Sequence, residues 1–92
     1  GAVVKRVLKY LLPAPGAPGV EFRAPGDLTA VSVGLDGAGE PCLWAVVTPE
    51  EPHRGWRLRT VGTGWDIEEG WVAGTFVEPS VGLVWHAVVI PS

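Results

Sequence analysis

This chain of 92 residues is short of most of what chemistry needs: one cysteine, two histidines, no methionine, and charge on only 18% of residues. The lone thiol, Cys42, excludes an intrachain disulfide. Its place between Pro41 and Leu43 suits a small buried hydrophobe better than a nucleophile. Cys42, His53 and His86 fall one to a segment, whereas zinc ligands come in pairs a few residues apart. No metal and no cofactor is therefore expected. None of Ser32, Ser80 and Ser92 sits on the sharp elbow that a nucleophilic serine requires, so no catalytic residue is assigned and the chain is read as non-enzymatic.

Two further scarcities bear on partners. No apolar stretch approaches the ~20 residues that cross a bilayer. Lys5, Arg6 and Lys9 break the apolar run nearest the N-terminus, which is not the layout of a secretory leader. The expectation is folding in a cytoplasm with no membrane partner. Basic residues number seven against ten acidic ones, for a net charge of −3. They divide into Lys5, Arg6 and Lys9, then Arg23, then Arg54, Arg57 and Arg59. Nucleic-acid modules draw most of their affinity from a concentrated basic face, so nucleic acid is not an expected partner.

What is abundant is punctuation. Thirteen glycines and nine prolines cut a chain that is 47% hydrophobic into short apolar runs. Val3 to Leu12 alternates, with Val4, Leu8, Tyr10 and Leu12 on one face and Lys5, Val7, Lys9 and Leu11 on the other. That is the pattern of an outer strand with a half-wet face. Pro13 to Gly19 is a stiff connection that cannot join a sheet ladder. Val20–Ala24 alternates and stops at Pro25-Gly26-Asp27, a turn signal. Leu28–Leu35 ends at Asp36-Gly37-Ala38-Gly39, a hairpin-like break.

Pro41–Thr48 is nearly all apolar and reads as a central strand buried on both faces, followed by an acidic loop from Pro49 to His53. Trp56–Val61, Trp71–Val77 and Val81–Ile90 complete about seven strands, and no stretch sustains a helical period. The expectation is all-β: one small antiparallel domain over residues 1–92, a β-sandwich or partly closed barrel.

Three motifs invite a functional reading. Gly62-Thr63-Gly64 lacks the third glycine and the helix that a phosphate loop needs, so a tight bend is preferred. Asp66, Glu68 and Glu69 lack the spacing of a calcium loop. The five tryptophans carry the most information. Alternation puts Trp44 and Trp85 in the core and Trp56 and Trp71 at the starts of their strands, covering sheet ends. Trp65 lies in a glycine-flanked turn, where core packing is the default; if exposed near Arg57 and Arg59, it has the character of an interface hot spot. The candidate binding residues are Trp65, Arg57, Arg59, Trp56 and His86.

The segments Pro41-Cys42-Leu43-Trp44-Ala45-Val46-Val47, Val61-Gly62-Thr63-Gly64, Gly74-Thr75-Phe76 and Leu83-Val84-Trp85-His86, with the opening Val7-Leu8-Lys9-Tyr10, resemble an uncharacterised family of small bacteriophage and prophage proteins, a domain of unknown function. That family usually carries His after Gly-Thr-Gly, where this chain has Trp65. The resemblance implies phage origin and a small β domain, and no reaction.

On that footing the expected role is binding. The first reading is an accessory factor in the host cytoplasm that acts on a host protein, blunting a defence system. The second is a virion protein that decorates a shell or tail, with Pro13–Gly19 as an arm. The third is a sponge for a nucleotide signal, which requires Trp65, Arg57 and Arg59 to line one pocket. Homo-oligomerisation is also expected, because an open sheet has edges to protect.

Overall fold

The computed structural model describes residues 3–92. Seven strands lie between the breaks: β1 (Arg6–Leu11), β2 (Val20–Pro25), β3 (Thr29–Leu35), β4 (Pro41–Val47), β5 (His53–Gly62), β6 (Trp71–Glu78) and β7 (Leu83–Pro91). Among the described residues there is no helix. The strands form two antiparallel sheets, a three-stranded one in the order β1-β4-β3 and a four-stranded one in the order β2-β5-β7-β6. The fold is an all-β sandwich, a flattened body of 48 × 30 × 15 Å.

The core forms where the alternating apolar faces meet. Leu43, Ala45 and Val47 from β4 pack on Trp56, Leu58 and Val89 from β5 and β7. Leu8, Tyr10 and Leu12 close one side of this layer, and Tyr10 lies 4.8 Å from Phe22 between ring centres. At the other side β3 and β6 approach so closely that a Cβ on Gly74 would lie 2.8 Å from Val33. Each fully buried aliphatic side chain here contributes about 1.5–3 kcal/mol.

Three expectations need correction. Trp56 is not at the start of its strand: β5 begins at His53, pairing with Pro25, and this places Trp56 in the core at 3% exposure. Its ring is edge-on to Trp71, 6.0 Å away, and Arg54 lies over it at 5.2 Å.

Trp44 is not a core residue. It shares a face with Lys9 and Ser32 on the outside of the three-stranded sheet, half-buried. An all-apolar strand gives both faces the same sequence signature, and the core took the Leu43 face.

Pro13–Gly19 is not an arm. The Thr60 hydroxyl donates to the Pro13 carbonyl at 2.7 Å, and the Gly16 N–H donates to the Thr60 carbonyl at 3.4 Å. The hydroxyl and carbonyl of a fully buried threonine thereby hold the connection down across one end of the sandwich.

One connection has an unusual task. β5 and β6 each run antiparallel to β7, which lies between them, so they are parallel to each other. Parallel strands need a crossover rather than a tight turn. Thr63 at its start bonds His86, and Gly70 at its end lies against Ile90. The crossover therefore runs along the outer face of the four-stranded sheet, the face on which Val61, Val88 and Ile90 form a buried cluster.

Candidate functional site

The end of the sandwich where β7 begins brings exposed aromatic and apolar side chains together with polar groups. It is built from the turn at Gly62, the Pro-rich connection, and the β6–β7 hairpin. In the Gly62–Trp65 turn the Trp65 N–H donates to the Gly62 carbonyl at 3.2 Å, with Gly64 at φ +89°. The third position of such a turn requires a positive φ, which glycine supplies without strain. Gly-Thr-Gly here is a tight bend that delivers Trp65 back onto its own strand. A Cβ on Gly62 would lie 2.9 Å from the Trp65 indole, so only glycine leaves the ring its seat.

Trp65 remains 45% exposed, which corrects the core-packing default. Its ring meets Trp85 edge to face at 6.0 Å, an arrangement worth about 0.5–1.5 kcal/mol beyond area burial. The pair borders a recess of about 370 Å³ with Thr63, Leu83 and Val84, and Leu83 and Val84 are themselves exposed. The Trp85 indole N–H donates to Glu78 Oε2 at 3.2 Å, which fixes the ring. A second recess of about 380 Å³ opens between the sheet ends and is lined by Trp85, Phe76, Glu40, Glu78 and several prolines. Trp85 is the wall that the two recesses share.

The five candidate residues separate. Trp65 and His86 meet at this end through Thr63, whose Oγ1 lies 2.7 Å from His86 Nε2. Thr75 Oγ1 occupies the other ring nitrogen at 2.8 Å. With both nitrogens engaged, His86 ties the crossover to β6. Arg57 pairs with Glu21 at 3.3 Å. Arg57 and Arg59 both pack against Gly19, where a Cβ would come within 2.9 Å of either side chain. Neither arginine lines the recess beside Trp65, so the geometry that a nucleotide sponge requires is not assembled there. Trp56 is buried and presents no surface to a partner.

Trp85 is not the core residue that alternation suggested: it is half-buried and lines both recesses, and with Glu78 it was missed as a site residue. The only sequence signal was their joint position at the two sides of one hairpin. Cys42 is fully buried, and burial, aided by nearby Asp36, pushes its thiol above the ordinary range. Its Sγ contacts the Glu40 carbonyl at 3.2 Å, which fits a packing role. Among the described residues no three His, Cys, Asp or Glu side chains are grouped to hold a metal ion.

Fold and site together define a class: a small all-β sandwich domain with an aromatic recess at one end. Within that class, residues 3–91 match the family described as a domain of unknown function, DUF7352, and the chain belongs to it. No curated protein and no solved structure matches the chain.

Proposed function

We propose that this domain is a small phage-encoded binding protein without enzymatic activity, and that it acts on a host protein through the Trp65–Trp85 end. The observation that carries the reading is Trp65 itself, a tryptophan 45% exposed on a glycine-built turn beside exposed Leu83 and Val84. Tryptophan is among the residues enriched at interface hot spots, and exposed apolar patches mark interaction sites. Acting in the host cytoplasm as an accessory factor, the protein would block its target by occupying a surface, which needs no catalytic group.

The test is affinity capture of tagged protein from infected cells, comparing the native chain with Trp65→Ala and with Val20→Ala, an exposed residue elsewhere on the sheet. Truncating a tryptophan hot spot costs at least about 2 kcal/mol, close to thirtyfold in affinity. Trp65→Ala should lose the partner while Val20→Ala keeps it. Equal capture by both variants would remove Trp65 from the interface.

A second reading, a virion component, is favoured by a different observation. The outer face of the three-stranded sheet exposes Val7 and Leu11 beside half-buried Trp44, a surface suited to packing against repeated neighbours or a second copy. Mass spectrometry of purified particles discriminates: many copies per particle support the structural role, and absence supports work inside the cell.

A further inference from the structure

We infer that the recess between the sheet ends, walled by Trp85 and Phe76 and lined by Glu40 and Glu78, receives an arginine side chain from the protein partner. The inference rests on the proposal that this end is the docking surface, and it names the chemistry of what docks there. Its volume, about 380 Å³, falls in the range of sites that enclose a ligand group, and aromatic and proline residues line it together with Glu40 and Glu78. The ion pairs found among the described residues are Lys9–Asp36 and Arg57–Glu21, so neither Glu40 nor Glu78 has a cationic partner there. Lys9, the cation of the neighbouring hairpin contact, is already held by Asp36 at 3.0 Å.

An apolar recess with unmatched negative charge selects an apolar side chain with a positive end. Arginine fits better than lysine for two reasons. A guanidinium plane stacks on indole and phenyl faces, and its fork can address a carboxylate with two N–H groups. Glu78 is pre-set for this role: the Trp85 indole at 3.2 Å and the Ser80 hydroxyl at 3.3 Å each bond one of its oxygens. Carboxylate and ring are thereby locked together as one wall. Because Trp85 also walls the Trp65 recess, a partner pressed onto the exposed patch would present such a side chain at the adjoining mouth.

The test is an NMR titration of isotope-labelled protein, following the tryptophan indole N–H signals. The probes are acetyl-arginine amide, acetyl-citrulline amide, which has the same shape without the charge, and acetyl-lysine amide. The arginine probe should shift the Trp85 signal saturably in the millimolar range, and citrulline should bind about tenfold more weakly. Lysine should fall below arginine. Glu78→Gln, which keeps an acceptor for the Trp85 indole, should weaken the arginine probe about tenfold. Glu40→Gln, at an exposed position, serves the same purpose if the first variant fails to fold.

Citrulline or lysine binding as well as arginine, full arginine affinity in both variants, or no saturating shift by about 50 mM would overturn the inference. If the arginine probe fails while Trp65→Ala still abolishes capture, the docking surface stands and the arginine assignment falls. If the probe binds as expected while Trp65→Ala leaves capture intact, the recess stands and the role of Trp65 falls.

Discussion

The outer faces of both sheets carry apolar residues, yet the middle of one is covered while the edge strand of the other stands open. On the four-stranded sheet, Val88 is fully buried and Ile90 is 3% exposed, on the face that the Thr63–Gly70 crossover traverses. On the three-stranded sheet, Val7 and Leu11 are each 61% exposed, and Trp44 lies over Gly34, with its ring 4.0 Å from where a Cβ would be. The difference comes from connectivity rather than from side chains. β3 and β4 are neighbours joined by a short hairpin, which leaves no chain to cross a face. β5 and β6 run parallel with β7 between them, so their connection must travel the length of the sheet. A single topological choice thus decides which apolar face becomes interior and which is left for contact with something else.

The comparison breaks most severely at Gly70. Its φ is +81°, and a Cβ there would press on the Val89 carbonyl oxygen and lie 2.6 Å from Ile90 Cγ1. Neither obstacle is the free end of a flexible chain. Gly70→Ala should therefore cost about 3 kcal/mol or more through backbone strain plus overpacking. For a domain of this size that lowers Tm by more than about 10 °C. Thermal unfolding checks it, and a loss below about 1 kcal/mol would mean that the crossover is not seated against β7 as described.

A matched pair of truncations sharpens the comparison. Val88→Ala, under the crossover, should cost about 2 kcal/mol, since a buried site cannot collapse fully around the missing methyls. Val7→Ala, on the bare face, should stay within about 0.5 kcal/mol. Chemical denaturation at low protein concentration reads both. If Val7→Ala instead costs as much as Val88→Ala, and more so as concentration rises, the bare face is covered in solution by a second copy, and the expectation of a homo-oligomer gains its interface.

Much of the fold was legible, and the part that was not has a physical cause. The breaks at Pro25-Gly26, Asp36–Gly39 and Pro49–Pro52 delimit strands because proline and positive-φ glycine end ladders locally. The Leu8, Tyr10, Leu12 face of β1 was legible because Lys9 marks the opposite side. β4 carried no such mark, so nothing local said that Trp44 would face outward. Trp56 was misplaced because Pro52 and His53 look like loop, while the register with β2 extends the strand back to His53. At the site, Trp65 was legible as a turn residue. Its meeting with Trp85 was not, because it depends on the absent side chain of Gly62 and on the crossover route, both long-range facts. The anchoring of Pro13–Gly19 by Thr60 is of the same kind, a bond across 47 positions.

The smallest expected effect concerns the rim of the bare face. Asp36 closes the β3–β4 hairpin: its Oδ1 accepts the N–H groups of Ala38 and Glu40, both at 2.9 Å, and its Oδ2 accepts from Lys9 at 3.0 Å. The Glu40 backbone bond foremost, then the Lys9 bond, hold the Asp36 carboxyl at about 2, down from 3.8. Asp27 is lowered too, chiefly by its hydrogen bonding with Thr48, whose N–H reaches Oδ1 at 3.0 Å. A carboxyl with a lower value in the folded state than in the unfolded one favours folding in its charged form. The contribution is complete above about pH 4 and disappears as pH falls through about 2. Asparagine at position 36 can still cap the turn through its side-chain oxygen but carries no charge for Lys9. Asp36→Asn should therefore lower stability near neutrality by the same amount by which it flattens the acid limb below about pH 4, since both measure the one contribution of the charged form. An unchanged acid limb in that variant would assign the acid sensitivity to Asp27, and with it to the β2–β3 turn at the core's edge rather than to the rim of the bare sheet.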